Sequence, residues 1–224
     1  MKYDCSTIAR MIDQTLLKPY VTDAELRAFC EESAQHHFAM VAINSAPVKV
    51  CREALKDSDV HVGAAIGFPL GQTTIDVKCF ETETAIAEGA DEIDYVINVG
   101  KAKAGDWAYI EEEMRRIVET CRKHDRLCKV IFENCYLTNE EKVQLCRIAL
   151  KVKPDFIKTS TGFGTGGATV EDVRLMRSIV GDVIGVKAAG GIRSLADALK
   201  MIEAGATRLG TSAGVKIMAE LGKP

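Results

Sequence analysis

The chain has 224 residues, 47% of them apolar and 27% charged, with a formal net charge of −3. That make-up is ordinary for a globular protein of one large domain, and the charge argues against nucleic acid or an anionic membrane as the main partner. Met1-Lys2-Tyr3-Asp4-Cys5-Ser6 lacks a signal-peptide apolar core, and no apolar run approaches the ~20 residues of a bilayer span, so a cytoplasmic location is expected.

In chain order, strands are predicted at Met11–Thr15, Ala39–Asn44, Val60–Gly67, Glu92–Val99, Leu127–Phe132, Phe156–Thr159, Val183–Ala188 and Thr207–Gly210. Most are continuously apolar and several are rich in Val and Ile, as strands covered on both faces should be. Helices are predicted between them at Thr22–Gln35, Ala46–Lys56, Thr74–Gly89, Asp106–His124, Thr138–Lys151, Thr169–Val180 and Ser194–Ala204, with a fraying helix over Ala213–Pro224. Thr22-Asp23-Ala24-Glu25 and Thr138-Asn139-Glu140-Glu141 are capping-box patterns. Strand and helix alternate with no linker, so a single-domain (β/α)8 TIM barrel over residues 1–224 is the economical fold. The rival is an open doubly wound sheet, but no G-x-G-x-x-G opens the first helix and no P-loop is present.

The eight cysteines form no C-x-x-C pair and are expected to be reduced, buried and apolar in behaviour. His36, His37, His61 and His124 match no zinc motif, and His61 begins a strand at the far mouth of the barrel. No metal and no cofactor are therefore expected.

In a parallel barrel, chemistry sits at the C-terminal strand ends. Sorting polar residues by that rule leaves Asp13, Thr15, Asn44, Asp94, Glu133, Asn134, Lys158 and Lys187. Lys158 and Lys187 each close an apolar strand and precede a glycine-containing turn, an unusual place for a charge. A lysine is nucleophilic only when neutral, and burial or a neighbouring cation lowers its pKa. Two unit charges about 4 Å apart at an effective dielectric of about 20 repel by roughly 4 kcal/mol, on the order of three pKa units. Lys187 is the cation expected to act on Lys158 in this way; the alternative is that each lysine merely pairs with an acid. Alternation puts Glu92, Asp94 and Val96 on one strand face. Asp94, if inward, either relays protons or forms a structural salt bridge with a lysine. Asp13 and Thr15 share a face, and either reach a substrate hydroxyl or make local turn hydrogen bonds. Gly162, Gly190, Gly191, Gly210 and Ser212 belong to turns after the last three strands, where barrels commonly bind phosphate on backbone N–H groups.

These motifs, Glu92-Ile93-Asp94, Phe156-Ile157-Lys158-Thr159-Ser160-Thr161-Gly162 and Val186-Lys187-Ala188-Ala189-Gly190-Gly191, resemble the deoxyribose-phosphate aldolases. So do Ile12-Asp13-x-Thr15, Gly67-Phe68-Pro69-x-Gly71 and Gly210-Thr211-Ser212, and the similarity covers nearly the whole chain. The resemblance implies a metal-free class I aldolase that reversibly cleaves 2-deoxy-D-ribose 5-phosphate to acetaldehyde and D-glyceraldehyde 3-phosphate. It implies that Lys158 forms the Schiff base, that Lys187 and Asp94 handle protons, that Gly162, Gly190, Gly191, Gly210 and Ser212 line a phosphate site, and that Asp13 and Thr15 meet sugar hydroxyls. The implied partners are a phosphorylated sugar and small aldehydes, with a homo-oligomer open. The chain departs from the family pattern at Gln14, Ala42 and Ala213. Rival functions are another lysine-dependent barrel enzyme and a non-catalytic phosphosugar-binding protein.

Overall fold

The computed structural model describes residues 4–222. The order is α1 (Cys5–Ala9), β1 (Ile12–Thr15), α2 (Asp23–Gln35), β2 (Met40–Asn44), α3 (Val48–Ala54), β3 (His61–Ile66), α4 (Ile75–Ala87) and β4 (Glu92–Val96). There follow α5 (Val99–Lys103), α6 (Trp107–Lys123), β5 (Leu127–Ile131), a short 3-10 turn (Asn134–Tyr136), α7 (Asn139–Val152), β6 (Phe156–Lys158), α8 (Val170–Val180), β7 (Gly185–Ala189), α9 (Leu195–Glu203), β8 (Arg208–Thr211) and α10 (Gly214–Leu221). The strands form a closed barrel in sequence order, every pair parallel, with β8 paired back onto β1. The doubly wound alternative is excluded by that closure.

Alternation divides the strand residues between two environments. Ile12, Val41, Ile43, Val62, Ile93, Tyr95, Val130, Ile157, Val186 and Leu209 are fully buried and belong to one apolar cluster with helix residues such as Leu26, Ile110, Met114, Leu145 and Val173. This shell between strands and helices is the main core. The lumen-facing set is different: Asp13, Glu92, Asp94, Lys129, Lys158 and Lys187 are all buried and charged. Most barrels fill that space with branched apolar side chains, so the lumen is where function has displaced packing.

Both predicted capping boxes are formed, by Thr22 with Glu25 and by Thr138 with Glu141. Two strand predictions shift by two or more residues at one end. The fourth strand stops at Val96, because Asn98 turns the chain by accepting the N–H of Lys101 and starting α5. The seventh begins at Gly185, since α8 ends at Gly181 and leaves Val183 exposed in the turn. The short helices α1 and α5 fell outside the periodicity argument; α1 is capped by the Asp4 carboxylate on the Thr7 N–H at 2.7 Å. Residues 223 and 224 of the predicted tail helix lie outside the described residues. All eight cysteines are free, as expected, though Cys5, Cys79 and Cys135 are not buried. No described helix is long and apolar enough to cross a membrane.

Candidate active site

Register brings the two strand-end lysines together. Lys158 on β6 is the direct partner of Lys187 on β7, and both amines donate to one oxygen, Asp94 Oδ2, at 2.8 and 2.7 Å. The other oxygen, Oδ1, accepts from Lys129 Nζ at 2.7 Å. Asp94 is thus a hub for three amines. Lys129 was missed in the sequence, although Leu127-Cys128-Lys129-Val130 carries the signal that singled out Lys158: a lysine inside an apolar strand.

Below the hub lies a second tier. Lys129 Nζ is 2.5 Å from Glu92 Oε2, and Lys187 Nζ is 2.5 Å from Asp13 Oδ2. Arg208 pairs with Asp13 Oδ1 at 2.6 Å and with Glu92 Oε2 at 3.3 Å. His61 Nδ1 closes the floor, 2.7 Å from Glu92 Oε1. Asp13 is therefore placed elsewhere than expected. It is fully buried, its carboxylate held by Lys187 and Arg208 rather than turned to the open mouth. Its lower rung on β1, in register with Gly210, explains that position. Thr15 is half-buried at the end of β1, and its hydroxyl donates to the Asp13 carbonyl at 3.0 Å, a local turn bond.

The charges follow from these contacts. Burial alone would raise the Asp94 pKa, but Lys129, Lys158 and Lys187 together hold it well below the carboxylate range. Glu92 is lowered in the same way, burial being outweighed by Lys129, His61 and Arg208. Lys158 is pushed down to about 8. Burial is the largest cause, Asp94 opposes it, and Lys187 and then Lys129 add to it. Lys187 thus lowers the Lys158 pKa, behind burial, while Asp94 accepts from both amines and offsets part of their repulsion. The side chains of Lys129 and Lys187 are fully buried, whereas that of Lys158 keeps 6% of its surface open.

The surrounding elements hold this geometry. At the end of β4, buried Lys78 bridges Val96 O at 2.7 Å and Glu113 Oε1 at 2.6 Å, and Glu113 Oε2 accepts from the Asn98 N–H. The Thr159 hydroxyl ties β6 to β7, donating to Ala189 O at 3.2 Å and lying 3.1 Å from the Ala189 N–H. Glu133 accepts from both the N–H and the hydroxyl of Thr161, fixing the turn after Lys158. Asn44 and Asn134 are likewise structural, bonding Leu17 O and Met176 Sδ at 3.3 Å each.

The three glycine turns lie at the same mouth. Gly162, Gly191 and Ser212 are exposed, and Gly190 is half-buried. Gly190 has φ +85°, and a Cβ there would stand 3.0 Å from Gly167 Cα, so both conformation and space require glycine. Gly210 is buried instead: a Cβ would meet Ala189 Cβ at 2.8 Å and Lys187 Cε at 3.2 Å, so it makes room for the lysine stem. Thr211 Oγ1 donates to Ile192 O at 2.7 Å and joins two of the turns. Gln14 reaches the same region, accepting the Gly214 N–H at 3.0 Å at the start of α10. A cavity of about 680 Å³ opens alongside, lined by Leu70, Val99, Tyr136 and Phe163 and sharing Glu133 and Thr161 with the β6 turn. Among the described residues, no group of three or more His, Cys, Asp or Glu is arranged to hold a metal ion.

Comparison with known proteins gives the family of the chain. The model of the DeoC/LacD family aldolases matches residues 7–220. A deoxyribose-phosphate aldolase of Lactobacillus acidophilus is 56% identical over 221 residues, covering 99% of this chain and 93% of the relative. One from Thermococcus kodakarensis is 53% identical over 94% of this chain and 95% of its own. Among solved structures, the aldolase QR15 superposes with a TM-score of 0.90 at 38% identity, covering 95% of each chain. A tetrameric deoxyribose phosphate aldolase from Aeropyrum pernix gives 0.90 at 30% identity, over 96% of this chain and 91% of that one. By the match along nearly its whole length, the chain belongs to the DeoC/LacD family of aldolases.

Proposed function

We propose that the chain reversibly cleaves 2-deoxy-D-ribose 5-phosphate to acetaldehyde and D-glyceraldehyde 3-phosphate through a Schiff base on Lys158. One observation carries the assignment: of the three amines that share Asp94, Lys158 is the one whose side chain keeps any surface open, 6%, and its pKa is lowered to about 8. The names of the relatives support the choice of substrate.

Neutral Lys158 Nζ attacks the aldehyde carbon, and loss of water gives a cationic imine. That imine draws in the electron pair of the C2–C3 bond, one carbon removed, as the bond breaks, releasing D-glyceraldehyde 3-phosphate and leaving an enamine of acetaldehyde. The proton of the cleaved hydroxyl passes to a water held by Asp94 and Lys187, which returns one to the enamine carbon. Hydrolysis frees the lysine. The cationic imine is favoured more in the carbanion-like transition state than in the ground state, which is the source of acceleration. Gly162, Gly190, Gly191 and Ser212 receive the phosphate beside the start of α10, whose N-cap residue Ala213 supplies no side-chain cap. Gly210 contributes to the same site by seating Lys187. Thr15 is the residue proposed to meet a sugar hydroxyl, and Asp13 acts through Lys187.

Borohydride added with acetaldehyde should attach a two-carbon label to one lysine, and peptide mapping should place it on Lys158. The same label after chelator treatment is expected to be undiminished. A label on Lys129 or Lys187 would overturn the assignment, and a retained pocket that binds phosphosugar without trapping would favour the non-catalytic reading.

A homo-oligomer is part of the proposal. Val77 and Phe80, one turn apart on α4, are 49% and 75% exposed, and the Aeropyrum pernix relative is described as tetrameric. Light scattering should give a mass above 24.4 kDa; a monomer at micromolar concentration would remove this element.

A further inference from the structure

We infer that the buried ion column beneath the site, Glu92 and Lys129 above all, is a positioning device that sets the charge of Lys158 without touching substrate. The inference rests on the reading of Lys158 as the nucleophile. It concerns residues on a lower tier than the reacting groups.

The column takes a charged or titratable side chain from seven of the eight strands: Asp13, His61, Glu92 with Asp94, Lys129, Lys158, Lys187 and Arg208. From β2 comes Met40, whose Sδ lies 3.3 Å from Lys129 Nζ and adds no charge. Glu133, the other buried carboxylate at this mouth, is bonded by Thr161 and pairs with none of the column's cations. The carboxylates Asp13, Glu92 and Asp94 are matched by the cations Lys129, Lys187 and Arg208. Lys158 is then the surplus cation in a site shielded from water, and a charge there has no unshared counter-ion. Neutrality of the column disfavours the ammonium form of Lys158 and so raises its share of free amine.

Charge count makes a signed prediction. Lys129→Met leaves three carboxylates facing two cations, so a protonated Lys158 becomes the missing third. Its pKa should rise by about one unit or more, a roughly tenfold loss of neutral amine at pH 7. Glu92→Gln removes a carboxylate and should move the pKa down by a similar amount. The double variant restores the balance and should return it close to the starting value. An effect of packing alone would move both single variants in the same direction and would not cancel in the double.

The pKa of Lys158 is read directly, from the pH dependence of its acylation by an amine reagent followed by peptide mass spectrometry. The profile of kcat/KM is measured in parallel. Opposite shifts that cancel support the column. Shifts of one sign, no shift, or failure of the double variant to return would overturn it. His61 provides an arm that spares the interior, since its side chain is 46% exposed. His61→Lys puts a fixed cation against Glu92 and should lower the Lys158 pKa by a few tenths of a unit relative to His61→Gln; no difference counts against the proposal even if the buried variants fail to fold. The labelling readout does not depend on turnover. If borohydride traps a different lysine while the Lys158 pKa moves as predicted, the column stands and the nucleophile assignment falls.

Discussion

Lys158→Met should abolish aldol cleavage and stabilise the fold. Without the amine there is no covalent route, and activity is expected to fall to background, on the order of 10⁴-fold or more for loss of a nucleophile that acts as part of a unit. The gain in stability follows from linkage. In the folded chain the Lys158 pKa is about 8, against an ordinary value of 10.5. Between those values the unfolded state binds more protons than the folded one, so stability rises with pH through that window. Below about 8 both states are charged, and the native state carries the full penalty of a desolvated ammonium. A shift of that size corresponds to roughly 3 kcal/mol.

Methionine fills similar volume without the charge, and Asp94 keeps its bonds from Lys129 and Lys187. Some of the gain is lost with the third bond, so about 2 kcal/mol at pH 7, or roughly 4–8 °C in Tm for a chain of this size, is expected. The difference should shrink as pH rises from 8 toward 10. A variant that melts lower than the parent at pH 7, with no pH trend, would mean that Lys158 is structural, and the trade of stability for function would not apply.

The upper tier, Lys158, Lys187 and Asp94, was legible in the sequence because it obeys a local rule. A lysine closing an apolar strand before a glycine turn is conspicuous wherever the strand pairs, and Lys158 and Lys187 needed no more than that. Asp94 followed from alternation along β4. The lower tier was not legible in full, for a geometric reason. Parallel strands in a closed barrel are staggered, so partners across the lumen do not share a sequence offset. Asp94 is in register with Lys129, but Lys158 is in register with Ile131. Lys129 lies mid-strand and Arg208 opens β8, so both escaped a search confined to C-terminal strand ends. Asp13 was read only as sharing a face with Thr15, and its depth depends on how β1 meets β8. The fourth strand was run on to Val99, the first residue of α5, because Val96-Ile97-Asn98-Val99 is as apolar as what precedes it. Asn98 was the available signal, a helix-capping residue inside a strand prediction.

Asp94→Asn should separate imine formation from turnover. The hub loses its charge, so Asp13 and Glu92 are left facing Lys129, Lys187 and Arg208, with Lys158 in excess. The amide can present only one acceptor, and its NH₂ group would face amines that are themselves donors. Removing one partner from a buried ion cluster is expected to cost about 3–5 kcal/mol. The sign of the pH dependence is fixed by the lowered pKa of Asp94. Its contribution is present above the unfolded carboxylate pKa and is lost as pH falls through the folded value, so parent and variant should converge only in strong acid. The Lys158 pKa, relieved of its anion, should fall below about 8, leaving more free amine at neutral pH. Trapping of acetaldehyde by borohydride should therefore persist in protein that remains folded. Cleavage should drop by about 10²–10⁴-fold, the loss typical of a missing acid–base group. Denaturant melts establish the folded fraction, and single-turnover trapping set against steady-state kcat reads the separation. Wild-type turnover would remove Asp94 from proton transfer, and parallel loss of trapping and turnover would move its role to imine formation. The expected split assigns it to the steps after the imine, where a shared carboxylate oxygen between two amines can pass a proton without leaving the buried hub.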